Sequence, residues 1–302
     1  MGAMRNYIPK AQIKALAQRS DFWGAWLTLH VWLVIFGAMA MFIIWPNVLT
    51  FILAFLLIGS RQHGMSILMH DAAHGILFKT KAINEFVGKY LLGAPYGGDL
   101  ESYRKYHLKH HRFTQSEIDP DLPLSKKYPV SKASLHRKLI RDATGQTFLR
   151  IRLATLRMKE GEQLGIEGAD AFQKTSPWPY LITNTILFAG LAAIGYWWVY
   201  IALWLLPLWT WFFVVLRLRN ITEHAVTTFN DNPLTHARTT YTNLLEKIFL
   251  GPYWVIYHVE HHVYMFVPCY RLKTLHKAMS EHHGAMDIKK GYLSVMKLAS
   301  TG

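Results

Sequence analysis

The sequence predicts an all-α integral membrane protein, with four transmembrane helices arranged as two hairpins and a cytosolic helical cap, built as a single domain over residues 1–302. Three observations carry that expectation. Charged residues make up 17% of the chain, yet none occurs from Phe22 to Ser60 or from Ser176 to Leu216. Each run of roughly 40 residues is long enough to cross a hydrocarbon core of about 30 Å twice, because one crossing takes about 20 helical residues. The turns inside the two runs carry no Lys or Arg, so every basic residue falls on the side that holds both termini and the segment from Arg61 to Thr175. The positive-inside rule makes that side cytoplasmic.

Taken in order, an amphipathic start from Ile8 to Gln18, with Ile13, Leu16 and Ala17 on one face, is expected to lie on the membrane surface. The stretch through Arg19 is too polar and basic for a signal peptide. The first span covers about 23–45 and turns at Pro46 and Asn47. The second covers about 48–74, continues into the cytosol and ends at Gly75. Residues Ile83 to Leu92 form a short interfacial piece, and Asp119-Pro-Asp-Leu-Pro123 is a turn. A basic helix is expected from Ala133 to Glu160 and a loop from Gly161 to Thr175. The third and fourth spans cover about 179–196 and 199–224, turning near Gly195 to Trp198, and the fourth again extends into the cytosol. Residues 75–175 and 225–302 form the cap, with helices over Thr242 to Leu250 and Leu272 to His282.

Composition excludes several classes. The net charge of +14 comes with no zinc-finger spacing, RNA-binding aromatic motif or continuous basic stripe, so it reads as attraction to a membrane surface or an acidic partner and not to nucleic acid. The single cysteine, Cys269, rules out an internal disulfide or a cysteine-ligated iron–sulfur cluster. HExxH, the zinc hydrolase signature, is missing.

Of sixteen histidines, nine fall in four compact groups: His70 and His74 (HDAAH), His107, His110 and His111 (HLKHH), His224, and His258, His261 and His262 (HVEHH). His70 and His74 share a helical face at the end of span two. Asn220 sits one turn before His224. Neutral imidazole suits iron, copper, nickel and zinc, and poorly suits calcium or magnesium. Nine ligands exceed the coordination number of one ion, so two metals are expected. The other seven histidines are assigned no ligand role, and His63, two turns before His70, is the least secure of these. A histidine-rich metal transporter is the competing class, but it would hold ionisable ligands near mid-bilayer, where only His30 lies.

HDAAH, HLKHH and HVEHH resemble the three histidine boxes of the membrane fatty acid desaturase and hydroxylase superfamily, which includes carotenoid ketolases. Arg219-NITEHA-Val226 resembles its additional Asn-x-x-x-His element. The likeness runs from about Arg61 to Leu272. It implies a di-iron centre held by His70, His74, His107, His110, His111, His224, His258, His261 and His262, with Asn220 reaching one iron through water. It also implies O2 as co-substrate, a lipid or acyl substrate, and an external electron donor of the ferredoxin or cytochrome-b5 type. Desaturation leads among the expected outcomes, with hydroxylation or ketolation as the alternative. Asp71, Glu223 and Glu260, each beside a grouped histidine, are candidates to orient the rings from behind.

Overall fold

A computed structural model describes residues 7–157 and 176–300. The expected loop from Gly161 to Thr175, and the end of the helix expected before it, lie outside the described residues. A short helix α1 (Lys10–Leu16) leads into α2 (Asp21–Ile44), whose N-cap Ser20 accepts from the Trp23 amide. Asn47 and Thr50 then form a reciprocal capping box that starts α3 (Val48–Ala73), which satisfies donors that a helix end leaves open. The turn therefore falls at Pro46 and Asn47, as the proline and asparagine predict, and α3 stops just short of Gly75.

The chain continues through α4 (Lys81–Phe86), a π-helical turn over Val87–Gly93 and a tight turn to Tyr96. Next come α5 (Leu100–Phe113), α6 (Leu122–Ser125), α7 (Lys132–Ala143) and α8 (Gln146–Arg157). The one basic helix expected from Ala133 is in fact two. Gly145 takes φ +76° between them, a left-handed conformation that glycine adopts without a Cβ penalty.

Helix α9 (Trp178–Ala193) has 16 residues and rises only about 24 Å. It is apolar but shorter than the expected third span. The chain then runs as one length of 28 residues from Trp197 to His224: α10 (Trp197–Val199), a π-helical stretch over Tyr200–Leu205, α11 (Leu206–Trp209) and α12 (Trp211–His224). The irregularity has a cause. Pro207 has no N–H to donate and its ring crowds the preceding turn, so the helix shifts its hydrogen bonding ahead of the proline and breaks at Thr210 behind it. Among the described residues three helices are long and apolar enough to cross a membrane: α2, α3 and the Trp197–His224 run.

Between these helices Val31, Ile35, Ile58, Leu203 and Trp204 are fully buried, and Trp32 stacks on Trp204 at 5.8 Å. The outer face of α2 is equally apolar, with Leu29, Leu33, Phe36 and Ile44 exposed. A helix apolar all round belongs in lipid or a large core. Asn184 of α9 supplies a buried polar link, accepting from Tyr200 Oη at 3.0 Å and Trp204 Nε1 at 2.8 Å.

The remainder departs from a purely helical architecture. Strand β1 (Thr239–Tyr241) pairs in parallel with β2 (Ile288–Lys290), Thr239 opposite Ile288, and Arg238 pairs with Asp287 beside them at 2.9 Å. Around the strands lie α13 (Leu244–Phe249), α14 (His258–Val263), α15 (Cys269–Ala278) and α16 (Tyr292–Ala299). Three-residue strands fall below the length at which alternation is readable in a sequence.

A buried ion pair joins α7 to α12. The Asp142 carboxylate accepts from the Arg217 guanidinium, at 3.0 Å to one of its nitrogens, and from Thr147 Oγ1 at 2.5 Å. Removing one partner of such a pair leaves a buried charge without its counterion, which costs about 3–5 kcal/mol. Asp142→Ala is therefore expected to lower stability by that amount, read as a large drop in melting temperature of the detergent-solubilised protein, whereas removal of exposed Glu117 leaves it within about 0.5 kcal/mol.

Candidate metal centre

Four elements deliver the grouped histidines to one place. The last turn of α3 carries His70, and His74 follows at its C-cap. Helix α5 starts where Asp99 accepts from the Ser102 amide at 2.9 Å, and its 3.6-residue period then puts His107 and His111 on one stripe with His110 beside it. The end of α12 contributes His224, and α14 contributes His258, His261 and His262. All nine are buried or half-buried.

They form two adjoining groups. In the first, the donor nitrogens of His70, His74, His107, His111 and His261 lie within 4.8 Å of one another. In the second, His110, His224 and His262 satisfy the same limit, as do Glu223, His224 and His258. His111 and His262 join the groups, with ring centroids 4.4 Å apart. The Nε2 atoms face each other closely: His70 to His261 at 3.0 Å, His107 to His111 at 2.9 Å, His111 to His261 at 2.9 Å, His224 to His258 at 2.9 Å and His258 to His262 at 3.2 Å.

That spacing is a test of fit. An ion bound at roughly 2.1 Å by two imidazoles at right angles holds their nitrogens about 3.0 Å apart. Two bare lone pairs at that distance repel unless a cation lies between them. The backs of the rings say which nitrogen is bare. His110 Nδ1 lies 2.9 Å from Asp119, His70 Nδ1 3.3 Å from Asp71, His224 Nδ1 3.2 Å from the His236 carbonyl, and His258 Nδ1 3.5 Å from Glu223. Each such partner accepts a hydrogen bond from Nδ1–H, the tautomer that leaves the Nε2 lone pair free to bind metal.

Electrostatics agrees with the geometry. Burial holds His107, His111, His258, His261 and His262 well below the ordinary imidazole range, and His74 at about 3, because a charged ring loses its hydration there. These rings are neutral donors at pH 7. His110 is the exception. Its burial opposes the charge, but Asp121 and Asp119 outweigh it and raise its pKa.

Of the three carboxylates expected behind the rings, Asp71 and Glu223 face His70 and His258. Asp71 also accepts from the Cys269 amide at 2.7 Å, and Glu223 from Arg219 Nε at 2.6 Å. Glu260 turns elsewhere. Its carboxylate bonds Thr239 Oγ1 at 2.6 Å and the ring of His276, a histidine to which sequence reasoning gave no part. Asn220 lines a small cavity of about 70 Å³ beside the second group, with Tyr106, Asp121, Arg219, Glu223 and His224.

Sequence reasoning placed Asp119 only in a turn, although its carboxylate both contacts His110 and accepts from the Gln115 amide at 2.8 Å. It missed the His236 carbonyl altogether. The Asp119-Pro pair signalled the turn, but a backbone carbonyl has no residue signature. His236 itself is buried with its ring 5.3 Å from His262.

The profile of the family described as fatty acid desaturase matches residues 45–290. The chain belongs to the fatty acid desaturase family. Among its desaturase relatives is dihydrorhizobitoxine desaturase of Bradyrhizobium elkanii, 27% identical over 75% of this chain and 66% of that protein. The sphingolipid delta(4)-desaturase/C4-monooxygenase of Homo sapiens is 25% identical over 79% of this chain and 68% of that protein. The chain thus spans about two thirds of the length of these two relatives.

For this desaturase family member, Asp119→Asn exchanges a carboxylate for a neutral acceptor behind His110. The variant is expected to hold metal about 10- to 100-fold more weakly, as measured by competition against a colorimetric chelator. Glu260→Gln should change metal retention less than Asp119→Asn, because its carboxylate faces His276.

Proposed function

We propose that this desaturase family member is an O2-dependent di-iron oxidoreductase that acts on unactivated C–H bonds of a long apolar acyl or lipid substrate, most simply by desaturation. The observation that carries the proposal is the pair of adjoining histidine-rich groups with Nε2 atoms at 2.9–3.2 Å. Protein side chains alone do not supply an oxidant strong enough for an unactivated methylene. Two iron ions, when bound, would supply that oxidising power by using O2 and two electrons from an external donor.

The chain's own residues have separate parts in this reading. His70, His74, His107, His111 and His261 would hold one ion, and His110, His224, His258 and His262 the other, with Asn220 reaching the second through water. Asp71, Asp119, Glu223 and the His236 carbonyl would keep the rings aimed. Both groups lie in a largely buried setting that limits the access of bulk water, which protects the oxidant from side reactions. At the first group iron is favoured over a closed-shell ion by the donor count, since its five imidazoles exceed the four ligands that structural zinc takes in a tetrahedron.

The proposed setting is a multi-pass membrane protein with two hairpins, α2 with α3 and α9 with the Trp197–His224 run, the termini and metal centre being cytoplasmic. The cap and spans act as a single domain, and a ferredoxin or cytochrome-b5-type protein delivers electrons from the cytosol. A transporter reading fits less well, because a conduit strings ligands along a path and the nine rings here gather in one place. Hydroxylation stays as a second reading on a specific ground: the human relative's name joins desaturase to C4-monooxygenase.

The purified protein is expected to carry two irons per chain and to consume O2 only with reductant and lipid present. His261→Ala should lose iron and lower turnover by at least about 100-fold. Chelation should abolish turnover, with Fe(II) and not Zn(II) restoring it. Mass spectrometry of the lipid product then separates a loss of two hydrogens from a gain of one oxygen, and full turnover with His261→Ala would defeat the proposal.

A further inference from the structure

Away from the metal centre, a cavity of about 510 Å³ opens between α2, the middle of α3 and the loop from Gly251 to Tyr257. Its lining holds three cations, Arg61, Lys247 and Lys273, and no acid. Lys247 and Lys273 are exposed at the rim, whereas Arg61 is only 6% exposed. One Arg61 nitrogen donates to the Ile248 carbonyl at 2.5 Å, and its guanidinium lies over the Tyr253 ring at 5.7 Å. Its Nε is buried with no hydrogen-bond partner. A buried guanidinium carrying an unmatched donor is costly unless an anionic or polar group completes it.

The surroundings suit a lipid. Trp23, Trp26 and Trp254 border the same cavity, together with the apolar side chains of Val34 and Leu57. Tryptophan at an apolar–polar boundary is the mark of headgroup depth. Leu244 and Leu245 of α13 are 71% and 65% exposed nearby, a pair of apolar side chains suited to dipping into the bilayer edge. The cavity wall is held under strain. Tyr253 and Trp254 take φ +54° and +60° in succession, uncommon for bulky residues and typical of clamps that surrounding contacts over-determine. Tyr253 Oη meets His30 Nδ1 at 3.0 Å. A Cβ on Gly64 would come within 2.6 Å of the Tyr253 ring, so glycine there lets the clamp close on α3.

We propose that this cavity binds an anionic phospholipid, its phosphate against Arg61, Lys247 and Lys273 and its acyl chain along Trp26, Val34 and Leu57. This goes beyond the oxidation proposed above by naming a lipid class and the residues that select it, and it rests on the reading of the chain as a lipid-modifying membrane enzyme. Charge complementarity selects the occupant: three cations without a counter-acid match a phosphate of net negative charge and gain little from a zwitterionic or neutral head. The helical rise from Arg61 to His70 sets the anchor roughly 14 Å along α3 from the first grouped histidine of that helix, and none of the nine grouped histidines lines the cavity.

The full-length protein is to be reconstituted into nanodiscs of phosphatidylcholine doped with spin-labelled phosphatidylglycerol, phosphatidylcholine or oleate, and the motionally restricted fraction read by electron paramagnetic resonance. Phosphatidylglycerol is expected to be held in preference to both others. Lys247→Gln with Lys273→Gln, both exposed and dispensable for folding, should cut that preference on the order of ten-fold, with metal content unchanged. Arg61→Gln should remove it in protein whose melting temperature is retained. Equal retention of phosphatidylcholine, preferential retention of oleate, or an unaltered preference in the double lysine variant would each overturn the inference. Iron analysis of the same samples keeps the two proposals apart, since protein that binds no iron yet selects phosphatidylglycerol defeats only the oxidative reading.

Discussion

Imidazole is a useful metal ligand only when it is neutral and pointed, and the arrangement of this molecule follows from that constraint. Nine such rings share one desolvated space. Desolvation favours the uncharged ring, overruled only at His110 by Asp121 and Asp119, and neutrality then leaves a ring free to turn either nitrogen inward. Orientation has to come from behind. Asp119, Asp71, Glu223 and the carbonyl of His236 provide it at four of the rings. Those partners are themselves fixed: Asp71 by the Cys269 amide, Glu223 by Arg219, and Asp119 by the Gln115 and Asp121 amides. The donor geometry thus depends on partners from several elements and not on four short motifs alone.

The apolar helices serve the same end by a different route. Helices α3 and α12 run on past their uncharged stretches and carry His70 and His224 in their last turns, so two walls of the centre are the ends of long rods. Rods of this length fix their tips more firmly than loops do, which suits a site whose donors must be placed to within about 0.5 Å. The departure from regular helix ahead of Pro207 sits well away from His224, and the fourteen residues of α12 after the break at Thr210 are regular.

What the sequence made legible was whatever has a period or a composition. Uncharged runs located α2, α3 and the Trp197–His224 helix; the spacing of His70 to His74 and of His107 to His111 located shared faces; Asn47 and Gly75 marked ends. What escaped lacks those signals. The shortness of α9 depends on where its turn closes, and the parallel pairing of Thr239–Tyr241 with Ile288–Lys290 joins segments too brief to alternate. Glu260 illustrates the limit best. Flanked by histidines, it reads as their support, yet its carboxylate reaches Thr239 and His276, because a helix sends neighbouring residues to different sides and sequence adjacency is poor evidence of contact.

The two-stranded sheet has a consequence for how the centre comes into being. Thr239 in β1 accepts the Val259 amide and donates to Glu260, which positions α14, and β1 finds its only strand partner among the described residues at Ile288–Lys290. The wall bearing His258, His261 and His262 is therefore locked by residues synthesised after it. A nascent chain exposes the first two histidine motifs well before that lock exists, so the nine rings are gathered only after residues 288–290 have been made.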